Sequence, residues 1–256
     1  MELIKNLKDY RELLKTNVKK DIRGKYKRSF LGVLWSFINP LLQTIVYTIV
    51  FSTIMRSNID NYLIYVVTGF IPWTFFSGTI LQGISVITNN AGIIKKVYFP
   101  REILPISSSL SGLVNFIISC TIIVIFCLFS VGISWHIVFV PIIALIQFIL
   151  ILGIVMALCA INLYVQDTEY IIQFVLNMAF YATPVLYEAK TLPVLFQTVL
   201  KLNPMSHILD AYRYVFMYHC MPDMSKLMLV AILAVIIFFI GYVVFKKLEK
   251  GFAEQI

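Results

Sequence analysis

Residues 103–166 read ILPISSSLSGLVNFIISCTIIVIFCLFSVGISWHIVFVPIIALIQFILILGIVMALCAINLYVQ, and these 64 consecutive residues contain no Asp, Glu, Lys or Arg. Crossing the hydrocarbon core of a membrane takes about 20 apolar residues, so this stretch is long enough to cross twice. Gly132, Ser134 and Trp135 interrupt it near the middle, where a turn residue and an interfacial aromatic predict a short hairpin. The stretch predicts an all-α integral membrane protein.

The composition of the whole chain supports the same class. Of the 256 residues, 60% are hydrophobic and 13% are charged, and the mean hydropathy is +0.88. Average soluble proteins have about 45–50% apolar and about 25% charged residues, so a cytosolic enzyme, a disordered chain and a secreted disulfide scaffold are excluded. The cysteines are widely separated, lack metal-ligand spacing and are interpreted as structural thiols, so no metal site is expected. They are Cys120, Cys127, Cys159 and Cys220.

Six apolar runs predict six transmembrane helices. They cover 33–55, 62–88, 103–131, 137–165, 170–187 and 227–245. No signal peptide is expected before them, because the first 28 residues contain no apolar h-region.

The distribution of charge predicts the orientation. Ten of the 21 Lys and Arg residues precede Ser29, within a net charge of +8. Nucleic-acid binding is one interpretation, but in a membrane protein basic segments mark the cytoplasmic side, and no nucleic-acid partner is expected. With the N-terminus inside, the cytoplasmic segments carry sixteen basic residues and the external segments carry five. Both termini are therefore predicted to be cytoplasmic.

The chain is interpreted as a single transmembrane domain, 1–256. Its predicted parts are an amphipathic interface helix over 1–30, spans one to five over 33–187, an external re-entrant region over 188–226, and span six with a cytoplasmic tail over 227–256. The interface helix is expected to lie against lipid headgroups or on a cytoplasmic partner, because apolar residues recur every three or four positions. They are Leu3, Leu7, Tyr10, Leu14, Val18, Ile22 and Tyr26, and the tail repeats the pattern with Phe245, Leu248, Phe252 and Ile256.

The interiors of the predicted spans carry no formal charge, which argues against several functions. Transport driven by protons or sodium normally needs an ionisable group within the membrane. No HExxH or GxSxG motif and no acidic pair at helical spacing indicates an intramembrane enzyme. His136, His207 and His219 are predicted near the outer surface as interfacial or packing residues.

Uncharged polar residues instead form stripes on three spans. Such stripes either hydrogen-bond to other helices or line a polar passage. Aromatic residues beside them favour a passage, and one suited to carbohydrate. The stripes are Ser36, Asn39, Gln43 and Tyr47; Thr74, Ser77 and Ser85; and Tyr170, Gln173, Asn177 and Tyr181, with Phe37, Trp73, Phe174 and Phe180 among the aromatics.

Two connecting segments are unusual. Residues 188–226 are too apolar for a loop, and they predict a re-entrant pair of short helices, one over 191–202 and one starting at Pro204 and capped by Asn203. Asp210 and Arg213 are expected to pair on the exposed face of the second helix. The segment 89–102 is a short amphipathic turn with a capping Asn pair, two lysines and an aromatic anchor before Pro100.

Four stretches together resemble a known family. RGKYKRSFLGVLWSFINPLL (23–42), NNAGIIKKVYFPREILP (89–105), LNPMSHILDAYR (202–213) and FKKLEKGFAEQI (245–256) are similar to the permease subunits of type 2 ABC exporters of polysaccharide and teichoic acid, which include O-antigen, capsule and wall teichoic acid exporters. The resemblance implies a multi-pass protein of the bacterial plasma (inner) membrane. It also implies a homodimer with two ABC ATPase subunits, an undecaprenyl-linked polymer as substrate, and contact with membrane lipid.

The resemblance also implies which residues act. The chain has no GxxxxGK[ST] motif, so MgATP is expected on the partner ATPase, and no cofactor or catalytic residue is expected in this chain. The implied roles fall to four groups. They are ATPase coupling by Asn89, Asn90, Ile93, Ile94, Lys95, Lys96 and Tyr98; pore lining by Ser36, Phe37, Asn39, Gln43, Tyr47, Tyr170, Gln173, Phe174, Asn177 and Tyr181; lipid-phosphate access by Arg23, Lys25, Lys27 and Arg28; and an outer gate of Pro204, His207, Asp210, Tyr212 and Arg213.

Other functions stay open from the sequence alone. An ABC exporter of another amphiphile, such as a lipid or a drug, has the same general plan. A passive channel and a membrane-embedded glycosyl- or acyltransferase are further alternatives. The basic cluster before the first span also fits ordinary positive-inside topology.

Overall fold

A computed structural model describes residues 2–25, 34–54 and 59–255, and over these ranges every regular element is a helix. In chain order the helices are α1 (Glu2–Asp9), α2 (Arg11–Lys25), α3 (Trp35–Thr48), α4 (Tyr62–Ile84), α5 (Val86–Asn89), α6 (Ala91–Ile94), α7 (Ile103–Ser130), α8 (Val140–Tyr164), α9 (Thr168–Tyr181), α10 (Val194–Leu202), α11 (Pro204–Phe216), α12 (Met224–Glu249) and α13 (Phe252–Gln255). A π-helical stretch, Ile49–Ile54, extends α3, and short 3-10 helices, Trp135–Phe139 and Ala189–Thr191, precede α8 and α10.

Four of the described helices are long and apolar enough to cross a membrane. They are α4, α7, α12, and α8 with its preceding 3-10 turn, Trp135–Tyr164. They coincide with the second, third, fourth and sixth predicted spans. The predicted hairpin between the third and fourth spans is confirmed, and Gly132 turns the chain there with a φ of +82°, which glycine adopts without steric cost.

The helices at the first and fifth predicted spans are shorter. In the described part of the first, the apolar helix is Phe37–Ser52. The fifth, α9, has 14 residues and is about 21 Å long, against a hydrocarbon core of about 30 Å. The predicted extent of 170–187 is wrong, because the chain leaves the helix after Tyr181.

Different termini and connecting segments lie at the two ends of the helical bundle. One end, which we call the terminal end, consists of residues 2–25, 85–102, 165–168 and 245–255. There Asn6 donates a hydrogen bond to Glu102 at 2.9 Å, and Tyr164 donates one to the Leu248 carbonyl at 2.8 Å. At the opposite end, defined by 59–61, 131–139, 182–193 and 203–223, the Tyr62 hydroxyl donates to the Leu186 carbonyl at 2.7 Å. The segments predicted to be cytoplasmic therefore share one end.

The core of the bundle is held by close approach of α8 and α12. A Cβ added at Gly153 would lie 2.6 Å from the backbone of Phe238, and one added at Gly241 would lie even closer to the backbone of Gly153. In lipid, where exposed apolar side chains gain nothing by leaving solvent, such small residues allow the extensive backbone contact that holds helices together.

The apolar stripe of the N-terminal helices packs on the chain itself. Tyr10 separates α1 from α2, and Leu7, Tyr10 and Leu14 contact a buried cluster at the terminal end. Phe245 and Phe252 of the tail are fully buried in the same cluster. The expectation that these stripes are available for headgroups is therefore wrong for these residues. Tyr26 and Ile256 lie outside the described residues.

Candidate functional site

A groove of about 500 Å³ lies between α3, α4 and α9. Its lining carries amides, hydroxyls and aromatic rings and no charged side chain among the described residues. The lining consists of Gln43, Tyr47, Phe70, Trp73, Thr74, Ser77, Leu81, Leu176, Asn177, Met178, Phe180 and Tyr181. Members of all three predicted polar stripes thus meet at one place, which we call the α3–α9 groove.

The aromatic wall of this groove is continuous. The ring of Phe180 lies 6.0 Å from that of Tyr47 and 5.8 Å from that of Trp73, and Tyr47 meets Phe70 edge-on at 5.3 Å. Thr74 and Ser77 donate their hydroxyl protons to carbonyls of their own helix, so their oxygens remain as acceptors for a ligand. Amides supply both donors and acceptors. The groove therefore suits an uncharged ligand rich in hydroxyl groups.

Other predicted lining residues lie elsewhere. Tyr170, Gln173 and Phe174 share the exposed face of α9, with Tyr170 and Phe174 exposed by 74% and 63%, and do not line the groove. Asn39 lies beside a different cavity, and Phe37 packs against the core. The side chain of Ser36 is outside the described part of the chain.

The segment 89–98 presents a mixed surface at the terminal end. Ile93, Val97 and Tyr98 are exposed by 42%, 56% and 95%, and Lys95 and Lys96 beside them are also exposed. We call these five residues the coupling surface. Exposed apolar residues grouped in this way are typical of a protein contact.

Other residues of the same segment pack against the interior of the protein. Phe99 is buried, and Ile94 packs against the cluster of the terminal end. Asn89 is exposed. The predicted cap is wrong for Asn90, whose amide donates back to the Val86 carbonyl at 2.8 Å and accepts from Lys20 at 3.2 Å.

A charged network begins at Arg101 and Glu102, shortly after the coupling surface in the chain. Glu102 is fully buried and pairs with Lys246, which also contacts Glu249 at 3.0 Å. Arg101 donates to the backbone carbonyl of Glu249 at 2.7 Å, and Asn6 completes the set of donors to Glu102. This network ties α1, the start of α7 and the end of α12 to one another.

Of the predicted lipid-phosphate residues, Arg23 lies exposed on α2. It borders a shallow apolar depression with Val18, Ile22 and Leu110. The side chain of Lys25 is not in the described part, and Lys27 and Arg28 lie outside the described residues. Burial raises the pKa of Asp21 on the same helix, and the neighbouring Lys20 opposes that shift.

At the opposite end, the structure corrects the expected position of Arg213. The predicted ion pair with Asp210 is confirmed at 3.6 Å, but the Arg213 side chain is 3% exposed, whereas that of Asp210 is 51% exposed. The guanidinium donates to the carbonyls of Pro184 and Val185 at 2.7 and 3.0 Å, and lies 3.6 Å from the ring centre of Tyr65. Arg213 therefore binds the chain that leaves α9 and does not lie on an exposed face.

The other predicted gate residues have different surroundings. Tyr212 is fully buried and donates to Gln147 at 3.1 Å, a position within the core. Pro204 begins α11, and the predicted cap is confirmed, because Asn203 accepts from the backbone of Met205 at 3.0 Å. The ring of His207 contacts the Lys201 carbonyl at 2.8 Å. The helix predicted over 191–202 begins three residues later, at Val194, and Pro193 is its N-cap residue.

Sequence reasoning missed Gln82 of α4 and Asn115 of α7. Both line a second cavity, between α3, α4 and α7. The signal was present, because each is a carboxamide within an apolar predicted span. Neither belongs to a stripe, so periodicity did not select them.

Comparison with known proteins identifies the family to which the chain belongs. The ABC-2 type transporter family matches residues 12–217. The O-antigen export system permease protein RfbA of Myxococcus xanthus is 34% identical over 259 residues, which is 100% of both chains. Two proteins of the same name from Klebsiella pneumoniae are each 32% identical over 247 residues, covering 95% of this chain and 94% of theirs. Because the match extends over most of its length, the chain belongs to the ABC-2 type transporter family.

Proposed function

We propose that this chain is the membrane-spanning permease of an ATP-driven exporter, which moves a lipid-linked polysaccharide out of the cytoplasm across the bacterial plasma membrane. The observation that carries the proposal is the α3–α9 groove, where polar residues of three helices meet an aromatic wall and no described lining residue is charged. The relatives named as O-antigen export permeases support this substrate class.

The proposed topology has six crossings and both termini in the cytoplasm. α3 and α9 make the first and fifth crossings despite their length, with the re-entrant pair α10 and α11 covering the outer end of α9. The grouping of the described termini with the basic connections at one end supports this orientation. The terminal end is then cytoplasmic, and the chain acts as one transmembrane domain.

The proposed assembly is a homodimer with two ABC ATPase subunits, each binding MgATP. The exposed aromatic face of α9 supports contact with a second copy, since Tyr170 and Phe174 are 74% and 63% exposed in one chain. The coupling surface supports ATPase docking. The chain itself performs no covalent chemistry, and energy reaches it through displacement of that surface.

Replacing Tyr181 with alanine tests the groove. The change removes an aromatic contact worth about 0.5–1.5 kcal/mol, so we expect polymer export to fall by several-fold and up to about tenfold, with protein abundance unchanged. Export is measured as polymer appearing outside cells, normalised to permease in the membrane. The matched control is Phe129→Ala, which removes an 89% exposed ring outside the groove and should leave export unchanged. A fall in abundance without a fall in export per molecule would show that Tyr181 is structural.

A further inference from the structure

We propose that the cavity between α3, α4 and α7 binds uncharged sugar residues of the lipid-linked substrate, and that Gly78 keeps the route into it open. This inference rests on the proposed function and adds a second sugar site to it. We call this space the amide cavity. It has a volume of about 520 Å³, within the range of small-molecule binding sites.

The lining of the amide cavity has the chemistry of a carbohydrate site. Four carboxamides face it, from Asn39, Gln43, Gln82 and Asn115, and no described lining residue is charged. Hydroxyls and aromatic rings complete the lining. These are Thr74, Thr79 and Ser119, with Trp35, Phe75 and Phe116. Amides and hydroxyls exchange hydrogen bonds with sugar hydroxyls, and aromatic rings stack against the C–H faces of the sugar.

One atom in the cavity lacks a partner. The side-chain carbonyl oxygen of Asn115 is buried and accepts no hydrogen bond from the described residues. Buried polar atoms are nearly always paired, and an unpaired one calls for an explanation. This oxygen has almost no accessible surface in the structure, so a sugar hydroxyl would donate to it once the Asn115 side chain turns toward the cavity. Gln82, nearby in the lining, donates to Ser111 at 3.3 Å and keeps its carbonyl oxygen for a ligand.

A second space of about 570 Å³, which we call the access cavity, adjoins the amide cavity on the side of the terminal end. The two share Gly78 and Gln82 as lining residues. Lys20 and Asp21 of α2 and Asn89 and Asn90 border the access cavity. A phosphate group attached to the sugar would therefore remain near Lys20, while the uncharged sugar extends into the amide cavity.

The amide cavity is distinct from the α3–α9 groove. The two spaces adjoin at Gln43 and Thr74, which line both, but α7 lines the amide cavity whereas α9 lines the groove. The amide cavity therefore holds substrate ahead of the groove, on the route from the terminal end.

Gly78 offers a direct test, because a Cβ added there meets no atom within 4 Å. Gly78→Leu should therefore fit without strain while filling the connection between the two cavities. Gly78→Ala is the matched control, since its methyl group leaves most of the connection open. Asn115→Leu is the second variant, and it removes the unpaired oxygen without narrowing the route. The midpoint of thermal unfolding verifies that each variant is folded.

The experiment measures equilibrium binding to the complete complex with its ATPase in lipid nanodiscs. The probes are undecaprenyl diphosphate carrying a short oligosaccharide of the exported polymer, and undecaprenyl diphosphate without sugar. We expect Gly78→Leu and Asn115→Leu to weaken binding of the glycolipid by at least about tenfold, and to leave binding of the sugar-free lipid unchanged. Gly78→Ala should bind both probes as the wild type does.

Three results would overturn the inference. In the first, Gly78→Leu and Asn115→Leu are folded and bind the glycolipid with wild-type affinity, while Tyr181→Ala still reduces export. The amide cavity would then not be a sugar site, but the proposed function would stand. Equal weakening for both lipids would assign the cavity to the lipid headgroup and not to sugar. A wild-type complex that binds no glycolipid would overturn the proposed function together with the inference.

Discussion

Replacing Arg213 with methionine is expected to lower the free energy of unfolding by about 2–6 kcal/mol, because two buried carbonyls lose their charged donor at a cost of about 1–3 kcal/mol each. Methionine fills a similar volume but leaves the carbonyls of Pro184 and Val185 without their donor. It also removes the cation from the face of Tyr65. Most of the variant should fail to accumulate as folded protein. Fluorescence-detected size exclusion and thermal unfolding of the solubilised protein measure this.

Two further variants isolate the cause. Arg213→Lys keeps the charge but loses the planar fork that reaches two carbonyls, so its stability should fall between methionine and wild type. Arg11→Met is the matched control, because the Arg11 side chain is 72% exposed and its pairing with Glu12 is at the surface. It should change stability by less than about 0.5 kcal/mol. If Arg213→Met unfolds at the wild-type temperature, the buried guanidinium does not hold the end of α9.

The double replacement Ile93→Asp with Tyr98→Ala should abolish assembly with the ATPase. Both residues are exposed, at 42% and 95%, so the change acts on the contact and not on the core. Losing two central apolar contacts typically costs about 3 kcal/mol, or roughly a 100-fold weaker complex. The measurement is co-purification of the ATPase with tagged permease, together with polymer export.

The neighbouring Ile94 shows why the choice of residue matters. It packs against the buried cluster at the terminal end, so Ile94→Asp should lower the unfolding temperature, whereas the double variant should not. Trp135→Ala removes a 61% exposed aromatic at the opposite end and should leave ATPase binding unchanged. Normal co-purification of the double variant would show that the coupling surface is placed wrongly.

Much of the helical framework was predictable from local sequence. A run of about 20 apolar residues has few alternatives to a membrane helix, which is why α4, α7, α8 and α12 lie where hydropathy places them. The cap at Asn203 was equally local, because a side chain and a backbone amide two residues away decide it. Helical periodicity predicted the three polar stripes, but it does not reveal which helices are neighbours, so their meeting at one groove is visible only in the fold.

The long-range contacts were not predictable in this way. Spacing of three residues correctly predicted the ion pair of Asp210 with Arg213, but it did not reveal the two carbonyls, 28 and 29 residues earlier, that also bind the guanidinium. Pro184 and Val185 fall within the predicted fifth span, but they lie in the segment that follows α9 and not in the helix. The stripe through Leu7, Tyr10 and Leu14 had the pattern of a membrane-surface helix, and only the fold shows that Phe245 and Phe252 lie within the cluster it covers. Periodicity shows that one face is apolar, but it does not identify what covers that face.

The most direct measurement uses sealed vesicles that contain purified permease, with or without its ATPase, and lipid-linked polymer on the ATPase side. The account assigns the polymer pathway to this chain and the energy source to the partner. It predicts polymer delivery to the vesicle lumen with ATPase and MgATP together, and none when either is omitted. Accumulation of polymer against its gradient in vesicles containing only this chain would contradict the account.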